Sequence, residues 1–103
     1  MIRLTIMYPN AEDAYFDMDY YQNKHIAMVK EKCGEALKEC TVVQGLGGAA
    51  PGSPAPYVVI ASLTVESMDD FLTYVAPHDP AFAADVPNFT NIVPVIQINE
   101  VII

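Results

Sequence analysis

Apolar and polar residues alternate from the start of the chain. In residues 2–8, Ile2, Leu4, Ile6 and Tyr8 point one way, and Arg3, Thr5 and Met7 the other. That period of two predicts a strand. Pro9-Asn10 ends it, because Pro lacks a ladder donor and Asn suits a turn. Glu12, Asp13 and Asp17 then gather where a helix dipole favours negative charge, and a helix is expected over residues 14–32. Phe16, Tyr20 and Ala27 give it a mixed helical period; Lys30 and Lys32 lie in its last turn, and Gly34 marks its end.

The β-branched run Thr41, Val42 and Val43 centres a second strand within residues 37–44. Residues 45–56 hold four of the 5 glycines and three of the 8 prolines, which predicts a segment without regular structure. YVVIASLTV, residues 57–65, is the clearest strand. Ser67 followed by Asp70 forms a capping box, opening a helix over residues 68–76 that buries Phe71, Leu72 and Val75. Pro77 and Pro80 break it, and residues 81–86 add a short helical turn. The last strand falls within residues 92–102, with Pro94 placing a bulge or an edge near its start.

The order β-α-β-β-α-β predicts an α+β, ferredoxin-like domain over residues 1–103, with a four-stranded antiparallel sheet and right-handed crossovers. Helices cover one sheet face only. Yet Val58 and Ile60 oppose Tyr57, Val59, Ala61, Leu63 and Val65, and Val93, Val95 and Val101 oppose Ile96 and Ile98. Apolar area left wet forfeits about 25 cal/mol per Å², so a second copy stacked on this face is expected. The plain alternative is a face that tolerates some exposed apolar residues.

Composition narrows the partners. Thirteen acids against 5 bases give a net charge of −8, which argues against nucleic acid. A chain that is 52% hydrophobic and 17% charged is not disordered. No apolar run approaches the ~20 residues needed to span a membrane. The N-terminus lacks signal-peptide features, so a cytoplasmic protein is expected. There Cys33 and Cys40 are free thiols. A zinc site would want four ligands, and the chain's 2 His lie far apart in sequence, so no metal is expected.

The candidate chemistry centres on Tyr21 and His25, which share a helix face at a spacing of four. His can act as a general base near neutral pH, and a Tyr hydroxyl can hold a substrate oxygen. The plain alternative is a His bonded to a backbone carbonyl or carboxylate, with Tyr21 as packing. Tyr20, Tyr57, Phe71 and Phe82 are the expected ring contacts for a small apolar or aromatic ligand. Asn88 stands at a cavity mouth or caps a turn. Arg3, the single Arg, pairs with an acid or anchors an anion, and His78 sits in an exposed loop. Gly45, Gly47 and Gly48 lead into a strand rather than a helix, so they form no dinucleotide fingerprint, and no cofactor is expected.

The opening MIRLTIMYPN, the segment Tyr20-Tyr21-Gln22-Asn23-Lys24-His25, the loop Gly45-Leu46-Gly47-Gly48 and the late Val86-Pro87-Asn88-Phe89 occur in an order that resembles the EthD family of the dimeric α+β barrel superfamily. The family pattern often carries Pro and Leu after the His; here Ala27 and Met28 stand instead, which implies a helix that continues unbroken. The resemblance implies a homodimer with sheets packed into a barrel-like core and a cavity in each subunit between sheet and helices. It also implies a cofactor-independent oxygenase, isomerase or cyclase acting on a small aromatic or polyketide-like substrate, with His25 as general base. A non-catalytic binding or accessory dimer of a catabolic oxidation system is the other class. An open apolar cavity walled by His25 and Tyr21 favours the enzyme; a filled core around His25 favours the binder.

Overall fold

The computed structural model describes all 103 residues. Strand β1 spans Ile2–Pro9. Helix α1 covers residues 18–33 in three runs: a turn of α-helix, a π-helical turn over Tyr21–His25, and α-helix over Ile26–Cys33. It continues unbroken through Ala27 and Met28. Strands β2 (Glu39–Gln44) and β3 (Tyr57–Val65) follow. Helix α2 covers residues 68–75, with a second π-helical turn over Phe71–Val75. Helix α3 is Asp79–Asp85, and β4 is Val95–Glu100. The sheet order is β2-β3-β1-β4, with all neighbours antiparallel. This is the ferredoxin-like α+β fold.

Helix α1 begins at Met18, not residue 14. Asp17 is the N-cap, accepting from the Tyr20 N–H at 3.1 Å. Residues 15–17 instead lie extended against residues 89–91: Phe16 bridges Thr90, the Asp17 N–H donates to the Phe89 carbonyl at 2.7 Å, and Asn91 Oδ1 accepts the Tyr15 N–H at 2.8 Å. Tertiary pairing overrides the local acidic signal. Gly34, at φ +62°, stops α1 in a conformation costly for other residues.

Ser67 caps α2 as its sequence indicates, accepting from the Asp70 N–H at 3.1 Å. The prolines after it start new turns rather than only ending one. Pro77 and Pro80 fall in the first turns of Ala76–His78 and α3, where a missing N–H costs nothing. Residues 45–56 carry no helix or strand.

Register fixes the faces. Against the helices lie Ile2, Leu4, Ile6 and Tyr8, beside Val65, Leu63, Ala61 and Val59, with Ile98 and Ile96 on the edge strand. The opposite face is built in rows across all four strands. Val43, Ile60, Met7 and Val95 form an apolar row; Thr41, Ser62, Thr5 and Gln97 form a polar one; Glu39, Thr64, Arg3 and Asn99 form the third. This face is therefore apolar at one end only, more mixed than a reading of Val58 and Ile60 suggests. Arg3 pairs with an acid, Glu39, at 3.8 Å and donates to Thr64 Oγ1 at 3.1 Å. Both charged side chains are well exposed, so the pair adds little stability.

Two apolar clusters fill the layer between sheet and helices. One gathers Tyr8, Tyr21, Ile26, Val59, Ala61 and Phe89; the other gathers Val29, Cys33, Leu63, Val65, Phe71 and Val75. Cys33 and Cys40 are both free thiols. The first cluster positions the site.

Candidate functional site

The π-helical turn brings Tyr21 and His25 into register. A π-turn is wider than an α-turn, and such turns recur at functional sites. The two rings lie 5.3 Å apart and 15° from parallel, and both residues are buried. Phe89, fully buried, tilts over His25 at 4.7 Å and over Tyr21 at 4.9 Å. Phe82 closes the far side, 6.3 Å from the imidazole. The imidazole thus sits in an aromatic nest with its orientation fixed by packing.

Its polar partner comes from α3. Asp85 Oδ2 lies 2.9 Å from His25 Nδ1. The other carboxylate oxygen accepts the Tyr20 hydroxyl at 2.7 Å and the Asn88 amide at 2.9 Å. Burial pushes Asp85 up, but the bonds from Asn88, Tyr20 and His25 outweigh it and hold the carboxyl below its usual value. Tyr20 is pushed up, chiefly by its bond to this carboxylate. No buried side-chain nitrogen or oxygen lacks a partner, and Nε2 takes none, so Nε2 keeps an accessible surface.

His25 lines a cavity of about 440 Å³ between β1, β4 and residues 79–94, walled mainly by apolar side chains. Leu4, Ile6, Phe82, Val86, Ile92 and Ile96 supply the apolar wall, and His25 and Tyr8 are among the polar groups. The volume falls in the range of about 300–1,000 Å³ typical of small-molecule sites. The Tyr8 and Tyr21 rings meet edge-on, their centroids 5.9 Å apart. Burial raises Tyr8 to about 12 and Tyr21 further, so both stay neutral and act as hydrogen-bond donors. No group of three or more His, Cys, Asp and Glu side chains is gathered to hold a metal ion.

The structure brings His25 and Phe82 to the cavity. Tyr21 does not line it: its ring backs the imidazole and meets the Tyr8 ring edge-on. Tyr20 and Asn88 meet at Asp85, outside the cavity wall. Tyr57, at the start of β3, and Phe71, in the second apolar cluster, lie away from it. His78 lies against Phe82, ring centroids 6.1 Å apart, and does not line the cavity. Sequence reasoning missed Asp85 and the placement of Tyr8. Asp85 and Asn88 lie three apart, as neighbours on a helical turn do, but no local pattern pairs them with a residue sixty positions earlier.

Comparison with known proteins agrees with this architecture. A family model described as EthD domain matches residues 9–92. The crystal structure of an EthD-like protein from Ralstonia eutropha is 37% identical, with TM-score 0.91 over 99% of this chain and 92% of that one. An EthD family protein from Bacillus halodurans shares the fold at 16% identity and TM-score 0.73, over 99% of each chain. So does a dimeric ferredoxin-like protein from Thermobifida fusca, at 17% identity and TM-score 0.58 over 97% and 90%. No curated protein matches significantly. With the family model covering most of the chain, and the EthD-like protein of Ralstonia eutropha 37% identical over nearly all of it, this chain belongs to the EthD family.

Proposed function

We propose that this protein is a cofactor-independent enzyme that abstracts a proton from a small aromatic or polyketide-like substrate, with His25 as general base. One observation carries the reading: His25 Nδ1 is held by Asp85 at 2.9 Å while the same side chain lines an apolar cavity. With Nδ1 donating to the carboxylate, the lone pair resides on Nε2, the atom a base needs. The substrate's acidic O–H or C–H gives its proton to Nε2, and Asp85 stabilises the imidazolium that forms. The Tyr8 hydroxyl donates to the oxygen on which charge develops. General base catalysis contributes about 10²–10⁴-fold. The carbanion or enolate left behind is ready for oxygen attack, isomerisation or ring closure.

The working unit in this reading is a homodimer. The apolar row Val43, Ile60, Met7 and Val95 supports it, as does the Thermobifida fusca relative, described as dimeric.

The test is a screen of the pure protein against small phenols, enols and carbonyl-activated ring compounds, reading product by mass spectrometry. Turnover that is lost in His25→Gln while binding persists supports the base. Binding without turnover in either protein favours a non-catalytic small-molecule-binding dimer.

A further inference from the structure

The cavity wall carries a charge pattern that a base alone does not require. It includes no Lys and no Arg. The single Arg is committed to Glu39 and Thr64 on the other face of the sheet. The charged groups near the cavity, apart from His25, are acids. Asp79 lines its exposed rim, and Asp85 stands behind the imidazole.

The other polar groups of the wall are already engaged. Thr90 Oγ1 donates to the Tyr15 carbonyl and accepts from the Ile92 N–H at 3.0 Å. Asn91 Oδ1 accepts the Tyr15 N–H at 2.8 Å, and its Nδ2 donates to the Asp13 carbonyl at 2.8 Å. Asp79 takes part in neither the Arg3–Glu39 ion pair nor the His25–Asp85 contact. Three side-chain groups remain for a ligand: Nε2 of His25, the hydroxyl of Tyr8 and the carboxylate of Asp79.

We infer that this cavity selects an uncharged, ring-bearing ligand whose acidic O–H or C–H meets His25 and whose far end presents a hydrogen-bond donor to Asp79, and that it rejects carboxylates and phosphates. The inference rests on the cavity being the ligand site, as proposed above. An anion entering here sheds water without meeting an unpaired cation and faces a carboxylate at the rim. A neutral phenol or enol loses little on entry and becomes charged only after its proton reaches Nε2, beside the imidazolium so formed.

Three probes of one ring size test this: 2-naphthol, 2,6-dihydroxynaphthalene and 2-naphthoate. Binding is followed by the NMR shifts of His25 and Phe82. The expected result is that 2-naphthol binds at least about tenfold more tightly than 2-naphthoate. The second hydroxyl of the diol gains about threefold more, a gain absent in Asp79→Ala. Asp79→Lys brings the naphthoate within about threefold of the naphthol, whereas Asp69→Lys, an equal charge change on exposed α2, leaves the preference in place. Equal or tighter binding of the naphthoate to the native protein overturns the inference while leaving the cavity as a ligand site. Equal effects of the two Lys variants overturn the role of Asp79. If no probe shifts His25, the cavity reading falls and this inference with it. Turnover is not measured, so a failure of the base chemistry leaves the result intact.

Discussion

His25 Nδ1 and Asp85 Oδ2 lie 2.9 Å apart across sixty residues of chain, tying α1 to α3. An ionised carboxylate there favours the proton on Nδ1, so under the proposal above Asp85 is a positioning residue for His25. Asp85→Asn keeps the size but removes the charge, and its amide can present nitrogen instead of oxygen to Nδ1. Nitrogen-15 NMR of the imidazole is expected to show the Nδ1–H form in the native protein and a mixture in the variant. Turnover, once a substrate is in hand, falls at least about tenfold with ligand affinity nearly unchanged. Equal tautomer signals in the two proteins would count against this role.

The same carboxylate makes stability depend on acid. Its folded value is held below the usual 3.8, so its contribution is present above that pH and is lost as pH falls through the lower folded value. The native protein is therefore expected to exceed Asp85→Asn in stability by a constant margin at neutral pH, and the margin shrinks below about pH 4. Urea unfolding at several pH values checks it. A margin that stays constant as pH falls well below about 4 counts against the carboxylate's contribution.

Removing the imidazole tests both roles of His25. A non-core His would cost at most about 1–2 kcal/mol. Here the ring is 5% exposed, stacked on Tyr21 and bonded to Asp85, so the expectation rises. His25→Ala leaves a hole in the aromatic nest and a carboxylate short of a partner, costing about 2–4 kcal/mol in denaturant unfolding. His25→Gln refills much of the space, restores part of the stability and stays inactive, because its amide cannot take a proton. Activity in His25→Gln would end the proposal of a base.

The strands and turns were legible because their signals are local. The period of two in β1, the β-branched run of β3, the Ser67 cap and the glycine-rich loop each act within a few residues. The start of α1 was misplaced because residues 15–17 are held by residues 89–91, a partner that local acidity does not reveal. The site follows the same division. His25 stands out as a titratable group at helical spacing from Tyr21. Asp85, one of 13 acids, gains its role only from the long-range contact of α3 with His25. Tyr8 rather than Tyr21 reaches the cavity wall because β1 turns it toward the helices while Tyr21 stacks behind the imidazole, a tertiary arrangement the sequence does not announce.

The loop before β3 depends on close approach more than on backbone freedom. A Cβ on Gly45 would sit 2.2 Å from the Tyr57 carbonyl oxygen and 2.6 Å from Ala55 Cβ, so backbone would have to move. On Gly47 the nearest atom would be 3.4 Å away, an ordinary contact. Gly45→Ala is expected to cost about 1–3 kcal/mol and Gly47→Ala only a few tenths. Thermal melts of the two variants make the comparison. Equal losses would show that the loop relaxes around the added carbon.

The C-terminal tail bears on the dimer. Val101 is half-buried, with its N–H donating to the Met1 carbonyl at 2.9 Å. Beyond it Ile102 is 82% exposed and Ile103 fully so, and neither folds back onto the helices of its own chain. Each wet Ile forfeits about 1.5–3 kcal/mol of possible burial. The tail continues from β4, an edge strand, so a second copy can cover it by packing or by pairing. Deleting residues 101–103 is expected to shift the protein from dimer toward monomer or aggregate and to lower its melting temperature. Sedimentation at micromolar concentration reads the outcome. An unchanged dimer after the deletion removes residues 101–103 from the interface, and a monomeric undeleted chain removes the dimer itself.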